Sequence, residues 1–235
     1  MIERTVITSK NTTYNIVSDV PAVVNWFLDG ENQTHTILNQ INLERIYDPI
    51  FQGRSDMVVL DLGANAGLFS LYAQDSATKV IAVEPAPTTF DVLTELTKDH
   101  SNITILQAAI SGNNETIPFY LNENSTTNSL ISHNGTRIDV PGVTVNSLIE
   151  QHGLTHVDFV KCDIEGSEML AITDETIAPI KDIVKFWFVE MHPTDNTTVP
   201  WPGNLEHNRQ QIKAVFDRQG YETECVIHDQ LFAWK

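Results

Sequence analysis

The segment from Met57 to Gly67 constrains the fold of this chain more than any other. Met57 to Leu62 is an apolar run broken only by Asp61, which is typical of a strand buried on both faces. A glycine-rich turn, Gly63-Ala64-Asn65-Ala66-Gly67, follows it, and a helical pattern begins at Leu68. A strand, a glycine turn and a helix in this order indicate an open α/β sheet, in which ligands bind beyond the carboxyl ends of the strands.

Strand and helix patterns alternate along the rest of the chain. Short apolar runs predict further buried strands at 79–83, 103–106, 157–162 and 183–189. Helical patterns lie at 88–100, 145–152, 165–172 and 205–219. Because strands joined through helices pair in parallel, the sequence predicts a Rossmann-like, doubly wound, mostly parallel sheet. The last two strands, 221–227 and 230–234, follow one another through a tight turn, which predicts a C-terminal antiparallel hairpin.

The predicted domain boundary follows from where the motifs lie in the chain. Residues 1–55 carry no strong motif, apart from a helical spacing over 39–50, and we expect them to form a helical or irregular extension. Residues 56–235 are predicted to form one domain. Within it, strands near 116–121 and 138–145 flank a polar segment, which predicts a hairpin-like insertion at about 116–145.

The charge of the chain bears on its partners. Its net charge is −17, from 31 acidic and 14 basic residues. Nucleic acids and anionic membranes attract a positive field, so we expect neither as a partner. No apolar run approaches the length of a transmembrane helix, and no signal peptide is recognisable at the N-terminus, so a cytoplasmic location is predicted. Nothing in the sequence indicates an oligomeric state.

Two classes of nucleotide ligand compete for the glycine turn. A dinucleotide fold needs G-x-G-x-x-G, but Asn65 stands at the second glycine position and Leu68 at the third. Asp61 beside the turn would repel a pyrophosphate and attract a cationic sulfonium cofactor. Glu84 ends the next strand, where an acid can accept hydrogen bonds from both ribose hydroxyls. The pattern therefore disfavours a nicotinamide-dependent oxidoreductase and favours a nucleoside cofactor without phosphate.

Three segments, in order along the chain, carry a family resemblance. They are Asp61-Leu62-Gly63-Ala64-Asn65-Ala66-Gly67-Leu68-Phe69-Ser70, Glu84-Pro85-Ala86-Pro87-Thr88-Thr89-Phe90 and Asp158-Phe159-Val160-Lys161-Cys162-Asp163-Ile164-Glu165-Gly166-Ser167-Glu168. They resemble D-x-G-A-N-x-G-x-F-S, E-P-x-P-x-x-F and D-x-x-K-x-D-x-E-G-x-E of the FkbM family of methyltransferases. The resemblance implies the class I methyltransferase fold, S-adenosylmethionine as cofactor and, most often, methylation of an oxygen.

The resemblance also implies where the cofactor lies. It places four residues of the glycine turn around the methionine end, namely Asp61, Gly63, Asn65 and Gly67. Glu84 would hold the ribose. Gln107 and Ala108, which follow the third strand, would border the adenine by their position alone.

Three protonatable residues mark a candidate catalytic rim. Asp163 follows the fourth strand, and Glu190 and His192 end the fifth, so the three converge if these strands are neighbours. His192 is a candidate general base, because imidazole titrates near neutrality; before Pro193 it is equally a candidate loop residue that packs on the strand end. Asp163 and Glu190 would orient the acceptor, bind the amino group of the cofactor or hold a divalent metal. Carboxylates at strand ends are common without metal, so no metal is predicted.

These observations converge on one predicted function and leave an alternative open. We expect methyl transfer from S-adenosylmethionine to a hydroxyl of a sugar or another polar small molecule, which the polar segment 122–137 would cover. The alternative is a non-catalytic nucleoside-binding or scaffold protein that retains the fold. A degraded glycine turn would indicate that alternative, and the turn of this chain is intact.

Overall fold

The computed structural model describes residues 1–7, 13–18, 41, 45–121, 130, 135–192, 205–227 and 229–235. They belong to two compact units, the first comprising residues 1–107 and 124–126 and the second comprising 108–123 and 127–235. Each unit is described separately. The predicted boundary between residues 1–55 and residues 56–235 stays a prediction. The helical or irregular structure expected of residues 1–55 is wrong for Ile2–Ile7 and Thr13–Ser18, which form an antiparallel pair of strands rich in β-branched residues.

The first unit contains strands, short helices and the predicted glycine turn. Its elements are β1 (Ile2–Ile7), β2 (Thr13–Ser18), α1 (Asp48–Phe51), β3 (Met57–Leu62), α2 (Leu68–Ala73), a 3-10 turn (Gln74–Ser76), β4 (Ala77–Val83), α3 (Pro87–Thr97) and β5 (Ile103–Leu106). Strands β3, β4 and β5 pair in parallel in that order, while β1 and β2 form an antiparallel pair. All six residues of β3 are buried, as its apolar run predicts.

The predicted helix over 39–50 is only partly present among the described residues. Helix α1 covers only Asp48–Phe51, and Arg45 has a left-handed backbone with φ of 53°. Pro49 occupies the first turn of α1, and its fixed φ suits the start of a helix rather than its interior. Residues 39, 40 and 42–44 lie outside the described residues.

Gly67 allows α2 to begin close to α3. Its φ is 84°, a left-handed conformation, and a Cβ atom built on it would lie 2.5 Å from Leu93 Cδ1 and 3.4 Å from Thr97 Cγ2. Asn65 is also left-handed, with φ of 52°. Asparagine tolerates this conformation better than most residues, which is consistent with its place at the position of the second glycine.

The second unit contains the remaining strands and helices. Its elements are β6 (Ala109–Ile110), β7 (Thr116–Leu121), β8 (Thr136–Val143), α4 (Val145–Gln151), β9 (Val157–Cys162), α5 (Glu168–Ala171), α6 (Asp174–Ile177), β10 (Val184–Glu190), α7 (Leu205–Arg218), β11 (Glu222–Ile227) and β12 (Gln230–Trp234). Strands β7 and β8 pair antiparallel, as expected of the predicted insertion. Most of its polar tip lies outside the described residues.

Strands β9 and β10 pair in parallel and set the position of the candidate rim. Cys162 of β9 lies opposite Val189 of β10. Asp163 and Glu190 are the next residues on the two strands, so both lie at the carboxyl ends of this parallel pair. Strand β12 pairs antiparallel with β10 on its other side and with β11, which confirms the predicted C-terminal hairpin. Buried aromatic side chains pack α7 against β10, with the rings of Trp187 and Phe216 5.5 Å apart.

None of the helices in the described parts of the chain has the length and hydropathy that crossing a membrane requires.

We predict that Gly67→Ala destabilises the protein by about 2–4 kcal/mol. The left-handed backbone costs an alanine about 1 kcal/mol, and forcing its Cβ against Leu93 adds a packing cost of about 1–3 kcal/mol. The free energy of unfolding, measured by urea denaturation, tests this.

Gly53→Ala is the matched control. Gly53 is also left-handed, with φ of 77°, but nothing lies within 4 Å of its Cβ position. The free energy of unfolding of Gly53→Ala should fall by only about 1 kcal/mol, which is the cost of the left-handed backbone. Equal losses in both variants would show that the contact with Leu93 contributes nothing.

Candidate active site

The glycine turn of the first unit is preformed by its own hydrogen bonds. The backbone N–H groups of Gly63 and Ala64 donate to the carbonyl oxygen of Val83, at 3.0 and 2.9 Å. The Oδ1 atom of Asn65 accepts from the N–H of Ala66 at 2.8 Å. These bonds, all within the first unit, hold the turn against the end of strand β4.

Glu84 connects this turn to the start of helix α3. Its carboxylate accepts from the N–H of Asn65 through Oε2 at 3.0 Å and from the N–H of Ala86 through Oε1 at 2.9 Å. The side chain is almost fully buried. A carboxylate oxygen can accept more than one hydrogen bond, so these two contacts do not by themselves prevent Glu84 from binding ribose hydroxyls.

Asp61 lies deeper than the sequence suggests. It is fully buried, and its Oδ2 accepts from the hydroxyl of Ser70 at 2.6 Å, which ties strand β3 to helix α2. The predicted roles of Asp61, Gly63, Asn65 and Gly67 at the methionine end of the cofactor stay predictions.

The two residues assigned to the adenine differ in exposure. Gln107 is exposed, whereas Ala108 is buried. Their predicted contact with the cofactor stays a prediction.

The second unit brings together the three residues of the predicted catalytic rim and two carboxylates that the sequence analysis did not assign to it. We call this set the rim cluster: Asp163, Glu165, Glu168, Glu190 and His192. The imidazole of His192 lies between three of the carboxylates. Its Nδ1 is 3.0 Å from Glu168 Oε1, and its Nε2 is 3.6 Å from Glu165 Oε2 and 3.8 Å from Asp163 Oδ1.

Glu168 fixes both the loop and the imidazole. Its buried Oε1 accepts from the N–H groups of Ile164 and Gly166, each at 3.2 Å, and also faces His192. The backbone of His192 is held as well, because its carbonyl oxygen accepts from the amide of Asn208 at 2.9 Å. The only sequence signal for Glu168 is its place in the family motif, where it can be mistaken for a helix cap.

Lys161 compensates one carboxylate of the rim cluster. Its ammonium group donates to Asp163 Oδ2 at 2.9 Å, which leaves Oδ1 toward His192. Burial would raise the pKa of Asp163, but Lys161 and His192 outweigh that effect and lower it below its ordinary value. Asp163 is therefore ionised at neutral pH.

Glu165, Glu190 and His192 of the rim cluster have strongly shifted pKa values. Burial, together with the charges of Asp163, Glu168 and Glu190, raises the pKa of Glu165 to about 8 against the opposing effect of His192. Burial and Asp163 raise the pKa of Glu190 to about 7. Burial alone would lower the pKa of His192, but Glu168, Asp163 and Glu165 raise it to about 11. His192 is therefore an imidazolium at neutral pH, while Glu165 and Glu190 titrate near neutrality.

The donor atoms of Asp163, Glu165 and His192 lie within 4.8 Å of one another, a spacing that could accommodate a metal ion. Carboxylate and imidazole ligands suit several divalent cations. Coordination would require His192 to lose the proton that its carboxylate neighbours stabilise. That the protein acts without a metal ion at these residues stays a prediction.

Comparison with known proteins defines the class to which this fold and site belong. The methyltransferase FkbM domain matches residues 61–223, which is more than half of the chain. The chain belongs to the FkbM methyltransferase family, which confirms the resemblance seen in its three motifs. Methyltransferase sdnD of Sordaria araneosa is 24% identical over 187 residues, covering 60% of this chain and 72% of that relative.

A solved structure of a methyltransferase shows the same fold. The crystal structure of methyltransferase FkbM from Methylobacillus flagellatus KT matches with a TM-score of 0.51 at 15% identity, over 94% of this chain. This chain spans only 56% of the length of that protein. A SAM dependent methyltransferase from Aquifex aeolicus matches with a TM-score of 0.47 at 13% identity, over 89% of this chain and 96% of that one. The similarity to the FkbM structure confirms the predicted class I methyltransferase fold.

We predict that Glu165→Gln stabilises the protein relative to the wild type by an amount that grows as the pH rises from about 4.5 to about 8. The pKa of Glu165 is raised on folding from 4.5 to about 8, so the folded state binds this proton more tightly than the unfolded state. The wild type therefore loses stability through that pH window, and glutamine removes the loss. Urea denaturation at pH 5 and pH 8.5 measures the difference.

Glu175→Gln is the control for this prediction, because Glu175 is an exposed carboxylate of α6 in the same unit. Its stability relative to the wild type should not change with pH. Parallel pH curves for Glu165→Gln and the wild type would contradict the shifted pKa.

Proposed function

We propose that the protein transfers a methyl group from S-adenosylmethionine to a hydroxyl of a polar small molecule, such as a saccharide. The observation that carries this proposal is the rim cluster, in which carboxylates with pKa values of about 7 and 8 surround a charged imidazole. A group that titrates near the working pH is suited to accept a hydroxyl proton. Family membership and the intact glycine turn support the choice of cofactor.

The first unit would bind the cofactor through groups that are already in place. Glu84 would accept hydrogen bonds from the ribose hydroxyls while it continues to hold the turn through Asn65 and Ala86. The buried negative charge of Asp61 would favour the cationic end of the cofactor. When bound, S-adenosylmethionine supplies an electrophilic methyl group on a sulfonium.

The second unit would bind the acceptor and take its proton. Carboxylate oxygens accept hydrogen bonds from hydroxyl groups, so Asp163, Glu165 and Glu190 suit a polyhydroxylated acceptor. Glu190 or Glu165 would accept the hydroxyl proton of the acceptor. His192 would act as a fixed positive charge that orients these carboxylates, in place of the general base that the sequence predicts, because its pKa is about 11.

The alternative is a nucleoside-binding protein without catalytic activity. The shifted pKa values of Glu165 and Glu190 favour the enzyme, since a scaffold has no use for buried carboxylates that repel one another. Release of S-adenosylhomocysteine in the presence of a panel of sugars and other polyols tests the proposal. Cofactor binding without turnover on any of them would favour the scaffold.

The net charge of −17 supports the prediction that nucleic acids and anionic membranes are not partners.

We predict that Glu84→Ala and Asp61→Asn each weaken the binding of S-adenosylhomocysteine by about 1.5–3 kcal/mol. The first variant loses a charged acceptor for the ribose, and the second loses a negative charge near the cationic end. Isothermal titration calorimetry measures both affinities, and Asp91→Asn, an exposed acid of α3, is the control that should bind normally. Unchanged affinity in folded Glu84→Ala would contradict its assignment to the ribose.

We predict that kcat/KM rises as the pH increases through about 7–8, because the accepting carboxylate ionises in that range. Glu190→Gln and Glu165→Gln should separate the two candidates: the variant that lacks the base should lose about 10²–10⁴-fold in kcat, whereas the other should retain most of it. His192→Gln should lower kcat and leave the affinity for S-adenosylhomocysteine nearly unchanged.

The profile of His192→Gln distinguishes its two possible roles. A positioning charge predicts that its loss raises the pKa of the remaining carboxylates, which shifts the rising limb to higher pH. A rising limb near pH 6.5 in the wild type, absent from His192→Gln, would instead return the role of general base to His192.

A further inference from the structure

Arg45 of the first unit is held in an unusual conformation that motifs and family resemblance do not explain. Its φ of 53° lies in the left-handed region, which costs a residue with a side chain about 1 kcal/mol. Such backbones persist where neighbouring contacts require them, and they concentrate at ligand sites. The carbonyl oxygen of Arg45 accepts from the N–H of Asp48 at 3.1 Å, so this backbone forms the turn that leads into helix α1.

The guanidinium of Arg45 is fixed by one nitrogen and keeps the others available. Its Nε donates to Asp48 Oδ2 at 2.6 Å. Among the residues that the structure describes, neither of its two terminal nitrogens has a hydrogen-bond partner. The side chain is mostly buried, with 22% of its surface exposed. The terminal N–H groups therefore form a preorganised fork, which matches the geometry of a carboxylate.

Contacts within the first unit connect Arg45 to the helix that follows the glycine turn. The other oxygen of Asp48 accepts from the hydroxyl of the buried Tyr72 in α2 at 2.8 Å. The ring of Tyr47 packs edge-on against the ring of Phe69, with centroids 4.8 Å apart. Phe69 is the second residue of α2, and Tyr72 lies about one turn further along. The segment that carries Arg45 is therefore packed on the first turns of the helix that begins at Gly67.

We propose that Arg45 binds the carboxylate of the methionine portion of the cofactor through its two terminal nitrogens. This inference rests on the proposed function, since the family resemblance places the methionine end at the turn from Asp61 to Gly67. That portion of the cofactor carries one carboxylate, to which a guanidinium fork can donate two parallel hydrogen bonds. Asp48 and Tyr72 are positioning residues, because they hold the guanidinium and the helix without binding the ligand.

Two nucleosides that differ in the amino-acid portion test the inference. S-adenosylhomocysteine has the carboxylate, and 5′-methylthioadenosine lacks it together with the neighbouring ammonium group. In calorimetric titrations, Arg45→Ala should weaken S-adenosylhomocysteine binding by about 10- to 100-fold, the range for a charged hydrogen bond. It should leave methylthioadenosine binding within about twofold of the wild type, because that ligand makes no bond to the fork.

Two further variants distinguish a loss of the carboxylate contact from a folding defect. Arg45→Gly removes the guanidinium while it relieves the left-handed backbone, so it should fold at least as well as Arg45→Ala and show the same selective loss. Arg54→Ala is the matched control: Arg54 lies in the same unit, and its guanidinium pairs with the exposed Asp56 at 3.5 Å. It should bind both nucleosides normally.

The outcomes separate this inference from the proposed function. If Arg45→Gly binds S-adenosylhomocysteine as tightly as the wild type, Arg45 does not bind the carboxylate and the inference is wrong, while the proposed function is unaffected. An equal loss for both nucleosides also overturns it, because that result shows a general effect on the fold. If the wild type binds neither nucleoside, the proposed function fails and this inference fails with it.

Discussion

The hydrogen bonds between the Glu84 carboxylate and two backbone N–H groups hold the ligand-binding part of the first unit together. They join the end of β4 to the glycine turn through Asn65 and to the start of α3 through Ala86. A buried carboxylate is costly unless donors surround it, and here the backbone supplies them. The same oxygens are the acceptors proposed for the ribose, so the group that shapes the turn is also the group that would recognise the nucleoside.

The second unit is organised by charge compensation around His192. Three carboxylates approach its ring, and their combined field keeps the imidazole charged despite burial. The compensation is incomplete, because Lys161 pairs with Asp163 and its effect on Glu190 is outweighed by burial and by Asp163. Burial and the remaining excess of negative charge raise the pKa values of Glu165 and Glu190 toward neutrality, a range that suits the proton acceptor proposed above.

The sequence predicts much of the fold because the relevant signals are local. The buried runs at β3, β9 and β10 alternate with helices, and the parallel pairing of β9 with β10 confirms that Asp163 and Glu190 follow neighbouring strands. Because a helix was expected over 165–172, the sequence analysis did not assign Glu165 and Glu168 to the rim cluster. Helix α5 begins only at Glu168, and Glu165 precedes it with a left-handed φ of 54°. A helical pattern cannot report such a turn, since hydrophobic spacing does not specify one residue's backbone conformation.

By itself, the sequence determined the α/β class, the glycine turn and the family, because strand periodicity, turn residues and motif order are properties of adjacent residues. Only the tertiary structure decided which groups carry charge and where they point. His192 meets Glu168 across 24 positions of chain, and Asp48 meets Tyr72 in the same way across 24. The pKa of a side chain and the orientation of a guanidinium depend on burial and on distances between such remote residues. The sequence could therefore name Asp163, Glu190 and His192, whereas the approach of Glu165 and Glu168, the protonation of His192 and the pairing of Arg45 with Asp48 emerge only once the chain is folded.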